Sequence, residues 1–205
     1  HKWMLAKHAP ERNEVMAKRD PRRFGGPEGG GSGLTNGAAA EILRRLDNKK
    51  DALDELANMV YEIRNRDLER RVEAGLMSED QANALKDMYK YYVPLKGFAE
   101  GDLEGDKRAN VNLGRGVSVT REETATAFGR NSQSDNVVLN MILQAEEGIY
   151  RAEKNLAAQS LLKLAKNNPN PALWTVNKMK LHKKINDNGI AEWVTDGLAG
   201  PNTVI

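Results

Sequence analysis

Between Asn131 and Asn167 apolar residues recur in steps of three and four: Val138, Met141, Ile142, Ala145, Ile149, Ala152, Leu156, Leu161 and Leu164. That spacing lines one side of an α-helix. The stretch holds no proline and one glycine, Gly148. Ser134 or Asp135 offers an N-cap, and the Asn-Pro pairs Asn168–Pro169 and Asn170–Pro171 end it. At ~1.5 Å per residue the helix is ~50 Å long, and no strict heptad runs through it, so it is predicted to be a spine with shorter helices packed along its apolar stripe. A second long pattern covers Lys49–Ala74. Leu53, Leu56, Val60, Ile63, Leu68 and Val72 line one face, and Gly75 stops it. Glu62, Arg64, Arg66, Glu69, Arg70 and Arg71 occupy the other, which reads as a solvated face of paired charges.

Shorter elements surround these two. His1–Asp20 reads as a helix broken or restarted at Pro10, and Pro21–Gly33 as a flexible glycine-rich loop. Thr35 or Asn36 caps a short helix after it. Ser78-Glu-Asp-Gln81 spells a capping box, opening a helix to about Tyr92. Tyr89, Tyr91 and Tyr92, with Val93, Pro94, Leu95 and Phe98, are predicted to form a packed junction between two helical halves. Periodicity is lost over residues 99–119, an irregular connector. Thr120–Glu123 is a second capping-box spelling, starting a helix to Phe128. The predicted fold class is all-α: an elongated helical module with two long helices, several short helices and an irregular central connector. Its segments are 1–98, 99–119, 120–168 and 169–205.

Composition narrows the chemistry. Cysteine is absent, the net charge is +2, and no apolar run approaches a membrane span. The glycine-rich loop lacks the Gly-Lys-Ser/Thr of a phosphate loop. Asp102, Glu104 and Asp106 begin like a calcium loop, but Lys107 and Leu113 stand where its glycine and bidentate Glu belong. His1, His8 and His182 have no ligand spacing, so no metal site is assigned. His8, Glu11 and Arg12 form the one polar cluster that acid–base work could use. No nucleophile accompanies them, and they read as a clamp at a helix junction. Glu146 and Glu147 diverge on a helix and make no hydrolytic pair. No catalytic residue and no cofactor are assigned. Arg130 is predicted to be a conformational lock that bonds carbonyls at its turn or pairs with a carboxylate. Lys178, Lys180, His182, Lys183 and Lys184 form a basic amphipathic stretch, the candidate contact for DNA. The chain starts at His1 in helix-like sequence and stops at the strand-like Asn202–Ile205, so it is expected to be part of a longer polypeptide.

Six landmarks follow one another in fixed order: KHAPERN (Lys7–Asn13), GSGLT (Gly31–Thr35), EAGLMSED (Glu73–Asp80), YKYYVPLKGF (Tyr89–Phe98), GRNS (Gly129–Ser132) and YRAEKN (Tyr150–Asn155). In this order the chain resembles, over nearly its whole length, the helical module of the polyvalent proteins, giant proteins of phages and mobile elements. Some of these carry the name PLxRFG. Pro94-Leu95-Lys96-Gly97-Phe98 departs from the Arg-Phe-Gly of that name. The resemblance implies a non-enzymatic structural segment of a very long internal virion protein. That protein would be packaged in the virion interior and ejected into the host cell with the genome. Expected partners are the remainder of that polypeptide, other virion proteins or copies of itself, and possibly DNA. The alternative is a nucleic-acid-binding module flanking enzymatic domains. The motif residues carried over are His8, Glu11, Arg12, Asn13, Tyr92, Pro94, Leu95 and Arg130.

Overall fold

Helix α1 (Lys2–Arg19) carries Pro10 in its middle and runs on through it. The sequence predicts a break there, because proline has no N–H and removes the donor for the Ala6 carbonyl, at a cost of about 3 kcal/mol. What overrides it is the face α1 buries on both sides of Pro10: Trp3, Met4, Leu5, Ala6 and Ala9 before it, Asn13 and Met16 after it. The computed structural model describes residues 1–97, 129–174 and 176, and the backbone of 181–185 and 191–195. The connector 99–119, the helix expected at 120–128, Phe98, Lys178, Lys180 and Asn202–Ile205 lie outside the described residues.

The other helices are α2 (Pro21–Phe24), α3 (Asn36–Leu46), α4 (Lys50–Glu73), α5 (Glu79–Met88) and α6 (Val137–Asn167). A single 3-10 turn, Asp47–Lys49, joins α3 to α4. The described residues are mostly helical, the predicted class. Two short strands, β1 (Leu181–Ile185) and β2 (Ala191–Thr195), pair antiparallel after α6. Among the described residues no helix is long and apolar enough to cross a membrane.

The core is where α1 meets α3, α4 and the start of α6. Trp3, Met4, Leu5, Ala6 and Ala9 pack with Leu34, Ala39, Ala57, Val93 and Val137. Each large side chain fully withdrawn from water there contributes ~1.5–3 kcal/mol. Trp3 Nε1 donates to Asp54 Oδ1 at 2.7 Å, and Lys7 pairs with the same carboxylate, so α1 is also pinned to α4 by charge. A smaller cluster of Leu68, Met77 and Ala82 joins α4 to α5.

Caps set the helix ends. Thr35 Oγ1 accepts from Ala38 N at 3.2 Å at the start of α3. Ser78 and Gln81 bond reciprocally, completing the box that the sequence spells. Asn136 caps α6, its Oδ1 accepting from the amides of Val138 and Leu139. Ser134 and Asp135, the caps read from the sequence, are engaged elsewhere. Gly75 ends α4 at φ +71, with Leu76 N donating to the Arg71 carbonyl and Gly75 N to that of Val72.

The face by which α6 meets α4 differs from the predicted one. Of the predicted stripe, Met141 and Ala152 are buried, but Ile142, Ile149, Leu156, Leu161 and Leu164 are exposed, as are Leu139, Leu143 and Tyr150; the buried face is completed by Val137, Asn140, Gly148, Asn155 and Ala158. The reason is a buried ion pair on α4. Arg71 Nε donates to Asp67 Oδ2 at 3.0 Å, and both side chains are nearly inaccessible. α6 covers this pair with Gly148, where a Cβ would collide with the Asp67 carboxylate and the Arg71 guanidinium. Asn155 and Gln159 then donate to the Ala74 carbonyl at 2.8 and 2.9 Å. Arg71, read as part of a solvated face, is therefore buried; Arg64, read the same way, is buried against the carbonyls of Leu85 and Tyr89.

In an ordinary helix interior, replacing glycine by alanine stabilises by ~1 kcal/mol. Gly148→Ala should do the opposite, lowering stability by ~2–4 kcal/mol through displacement of a buried ion pair. Urea unfolding followed by circular dichroism measures both sign and size.

Candidate functional site: a clamped strap

After α5 the chain turns at Lys90–Tyr91 and runs on to Gly97 without helix or strand. This strap crosses the molecule with Val93 fully buried and Pro94 and Gly97 also inside. No strand of the described residues pairs with it. Buried backbone without a ladder must find other partners, or each orphaned group costs several kcal/mol. Here the partners are side chains from four places in the sequence.

From α1, the Glu11 carboxylate accepts the amides of Lys90 and Tyr91 at 3.2 and 3.0 Å. From α4, the Arg64 guanidinium donates to the Tyr89 carbonyl at 2.9 Å and to that of Leu85. From α6, Asn140 Nδ2 donates to the carbonyls of Pro94 and Lys96 at 3.3 and 3.2 Å. The turn before α6 supplies the rest. Arg130 Nη1 donates to the Leu95 carbonyl at 3.1 Å and Nη2 to that of Gly97 at 3.3 Å. The same guanidinium reaches the carbonyls of Ser132 and Gln133, and the Arg130 amide donates to Gly31. Ser134 Oγ and the Asp135 amide both donate to Lys96.

Each motif residue has a definite place. His8 is 1% exposed, its ring edge-on to Tyr89 and Tyr92 with centroids 5.2 and 5.7 Å apart. Its Nδ1 faces Glu11 at 3.7 Å. Arg12 donates to the Tyr89 hydroxyl at 3.2 Å. Tyr92 donates to Gln144 Oε1 at 3.2 Å, and the Arg64 guanidinium lies over its ring at 5.2 Å. Asn13 holds a different segment: it donates to the Leu34 carbonyl and to Asn36, and its Oδ1 accepts the Ser32 amide, all at 2.9–3.0 Å. The glycine-rich loop, read as flexible, is thereby tied down at its exit. Pro94 and Leu95 contribute their carbonyls. His8, Glu11, Arg12, Tyr92, Pro94, Leu95 and Arg130 thus meet at the strap. Asn13 lies one segment away.

Electrostatics follow the same geometry. Burial pushes His8 below its ordinary 6.5, with the Arg12 and Arg64 charges adding to it and Glu11 opposing. For Glu11, burial pushes upward, but His8 and the two strap amides together bring the carboxyl below its ordinary 4.5. Burial raises the Tyr92 and Tyr61 phenols. The neutral imidazole and the charged carboxylate are the forms the fold selects.

Sequence reasoning missed Arg64, Ser134, Asn140 and Asn155. The available signal was amide and hydroxyl residues at steps of three, four and seven with the small residues of α6, a seam rather than a surface. Of the basic stretch, His182, Lys183 and Lys184 belong to β1, where Lys184 is registered with Glu192 and Lys183 with Trp193. Alternation along a strand assigns position 183 to one face and 182 and 184 to the other. Among the described residues no three His, Cys, Asp or Glu side chains form a metal-binding set. No family model, no curated protein and no solved structure matches the chain.

Arg130→Lys keeps the charge but loses the fork, leaving several buried carbonyls without donors. It should cost ~2–4 kcal/mol, read by urea unfolding. Acid should act in two stages. Both His8 and Glu11 titrate lower when folded, so the unfolded chain binds more protons and stability is lost as the pH is lowered. The first loss begins below 6.5 and belongs to His8; the second begins below 4.5 and belongs to Glu11. His8→Gln should remove the first stage and Glu11→Gln the second, in melting temperatures measured across that range.

Proposed function

We propose that the chain is a non-enzymatic structural segment of a large internal virion protein of a phage, delivered with the genome. The phage assignment comes from the resemblance in landmark order. One observation supports the structural half. Polar residues of three landmarks hold the backbone of the other three. KHAPERN holds GSGLT through Asn13 and YKYYVPLKGF through Glu11. GRNS holds YKYYVPLKGF through Arg130, and YRAEKN holds EAGLMSED through Asn155. Residues that bond buried carbonyls and amides are consumed by the architecture, whereas a catalytic set aims its atoms at a substrate. The His8–Glu11–Arg12 cluster fits this reading, with Glu11 and Arg12 bonded to the strap and His8 packed between its tyrosines.

The competing nucleic-acid reading would draw on the arginines between Arg64 and Arg71 as well as on Lys178–Lys184, and it loses two of these arginines. Arg64 is bonded to carbonyls and Arg71 to Asp67, so neither is presented to phosphate. It retains the Lys178–Lys184 stretch.

Mass spectrometry of purified, nuclease-treated particles of the phage encoding the chain tests the proposal. Its peptides should be present in DNA-filled particles, depleted from particles emptied of DNA, and carried by an intact polypeptide much larger than this chain. Their absence from filled particles would refute it.

A further inference from the structure

The Glu11 carboxylate stands between two claims. Its Oε2 accepts the Tyr91 amide at 3.0 Å, and the same atom lies 3.7 Å from Nδ1 of His8. The second gap is too long for a hydrogen bond, and Nδ1 of this 1% exposed side chain has no hydrogen-bond partner among the described residues. While the imidazole is neutral, Glu11 serves the strap, its other oxygen holding the Lys90 amide at 3.2 Å. An imidazolium presents Glu11 with a full positive charge, where the strap amides present only dipoles. His8 and Glu11 lie three positions apart on α1, one above the other. The carboxylate therefore reaches the ring by rotating its own side chain, with no movement of the helix.

Glu11 is the one described carboxylate that acts on His8. On the same helix Arg12 is a second cation, and α4 brings the Arg64 guanidinium. The strap brings the Tyr89 and Tyr92 rings, and α6 reaches the cluster with uncharged Gln144, bonded to Tyr92. Tyr61 of α4 faces Glu11, its phenol kept neutral by burial. A proton on His8 thus meets two like charges and a single opposite one.

The end of the strap that Glu11 holds is also the end that can leave. Lys90 is exposed and Tyr91 half-buried, so amides released there meet water. Val93, Pro94 and Gly97 are buried beyond them. That far end is held by Arg130 and Asn140, neither of which titrates in mild acid.

We infer that His8 and Glu11 form an acid-triggered switch: protonated His8 draws the Glu11 carboxylate off the strap, freeing Lys90 and Tyr91 while the helices and the far end of the strap stay in place. Burial and the two arginines hold the imidazole below 6.5, so the closed form excludes the proton and the open form takes it up as the pH falls.

Amide exchange of the full chain, resolved by residue with NMR and corrected for the intrinsic effect of pH, tests the switch. Between 6.5 and 4.5, the ordinary values of His8 and Glu11, protection at Lys90 and Tyr91 should fall by about tenfold per pH unit, the limit for one proton. Both amides should become unprotected while those of Arg130 and Asp135, bonded to the Gly31 and Lys96 carbonyls, remain protected. The nitrogen-15 shifts of the His8 ring should report its protonation over the same interval, and His8→Gln should abolish the dependence at Lys90 and Tyr91. Loss of protection at all four amides together would mean global unfolding and overturn the inference. Opening that persists in His8→Gln would overturn it as well. So would Lys90 and Tyr91 amides that stay protected in the unaltered chain after the ring has taken its proton, a result that needs no variant to fold.

Discussion

An irregular segment inside a protein has backbone groups that water cannot reach and no helix or ladder to answer them. Everything central to this fold is arranged around that constraint at Tyr89–Gly97. Glu11, Arg64, Arg130, Asn140 and Ser134 each come from a different position along the chain, and each ends on a strap amide or carbonyl. Their side chains are thereby fixed, and so are the helices that carry them. The apolar core of Trp3, Leu5, Val93 and Val137 supplies bulk stabilisation, but hydrophobic contact alone would tolerate sliding. The directional bonds to the strap set a single register.

The α4–α6 contact uses the same logic with a charge at its centre. A buried ion pair is a poor source of net stability, since desolvation offsets most of the attraction. Asp67 and Arg71 instead impose geometry. Only a helix with a glycine at that level can lie over them, and Gly148 is the one glycine in α6. Asn155 and Gln159 then meet the Ala74 carbonyl less than two turns further along in Asn155's case, fixing how far α6 can slide.

Much of this was legible in the sequence. The two long helices, the Ser78–Gln81 box, the stop at Gly75 and the carbonyl-binding turn at Arg130 rest on local patterns, and local patterns survive folding. Pro10 misled because a local rule lost to tertiary burial on both sides of it. The packing face of α6 misled for a deeper reason. Hydrophobic periodicity reports which residues avoid water, not how near two backbones come. Gly148 and Ala158 permit close approach and Asn140 and Asn155 bond across it, yet none of these four enters the apolar pattern. The roles of Glu11 and Arg64 were illegible because their partners are backbone groups 80 and 25 positions away, and any residue type supplies those.

Those separations bear on how the chain reaches its fold. Helical proteins ordinarily fold fast because their contacts are local. Here the contacts that complete the structure join Glu11 to Tyr91, Ala74 to Asn155 and His1 to Val137, whose bond spans 136 positions. Closing such loops has an entropic cost that no single helix recovers. During synthesis α1 emerges well before the α6 residues that bond the strap, the Ala74 carbonyl and His1. Until then the first half is a set of formed helices around an unclamped segment. Completion of the fold therefore waits on the arrival of α6.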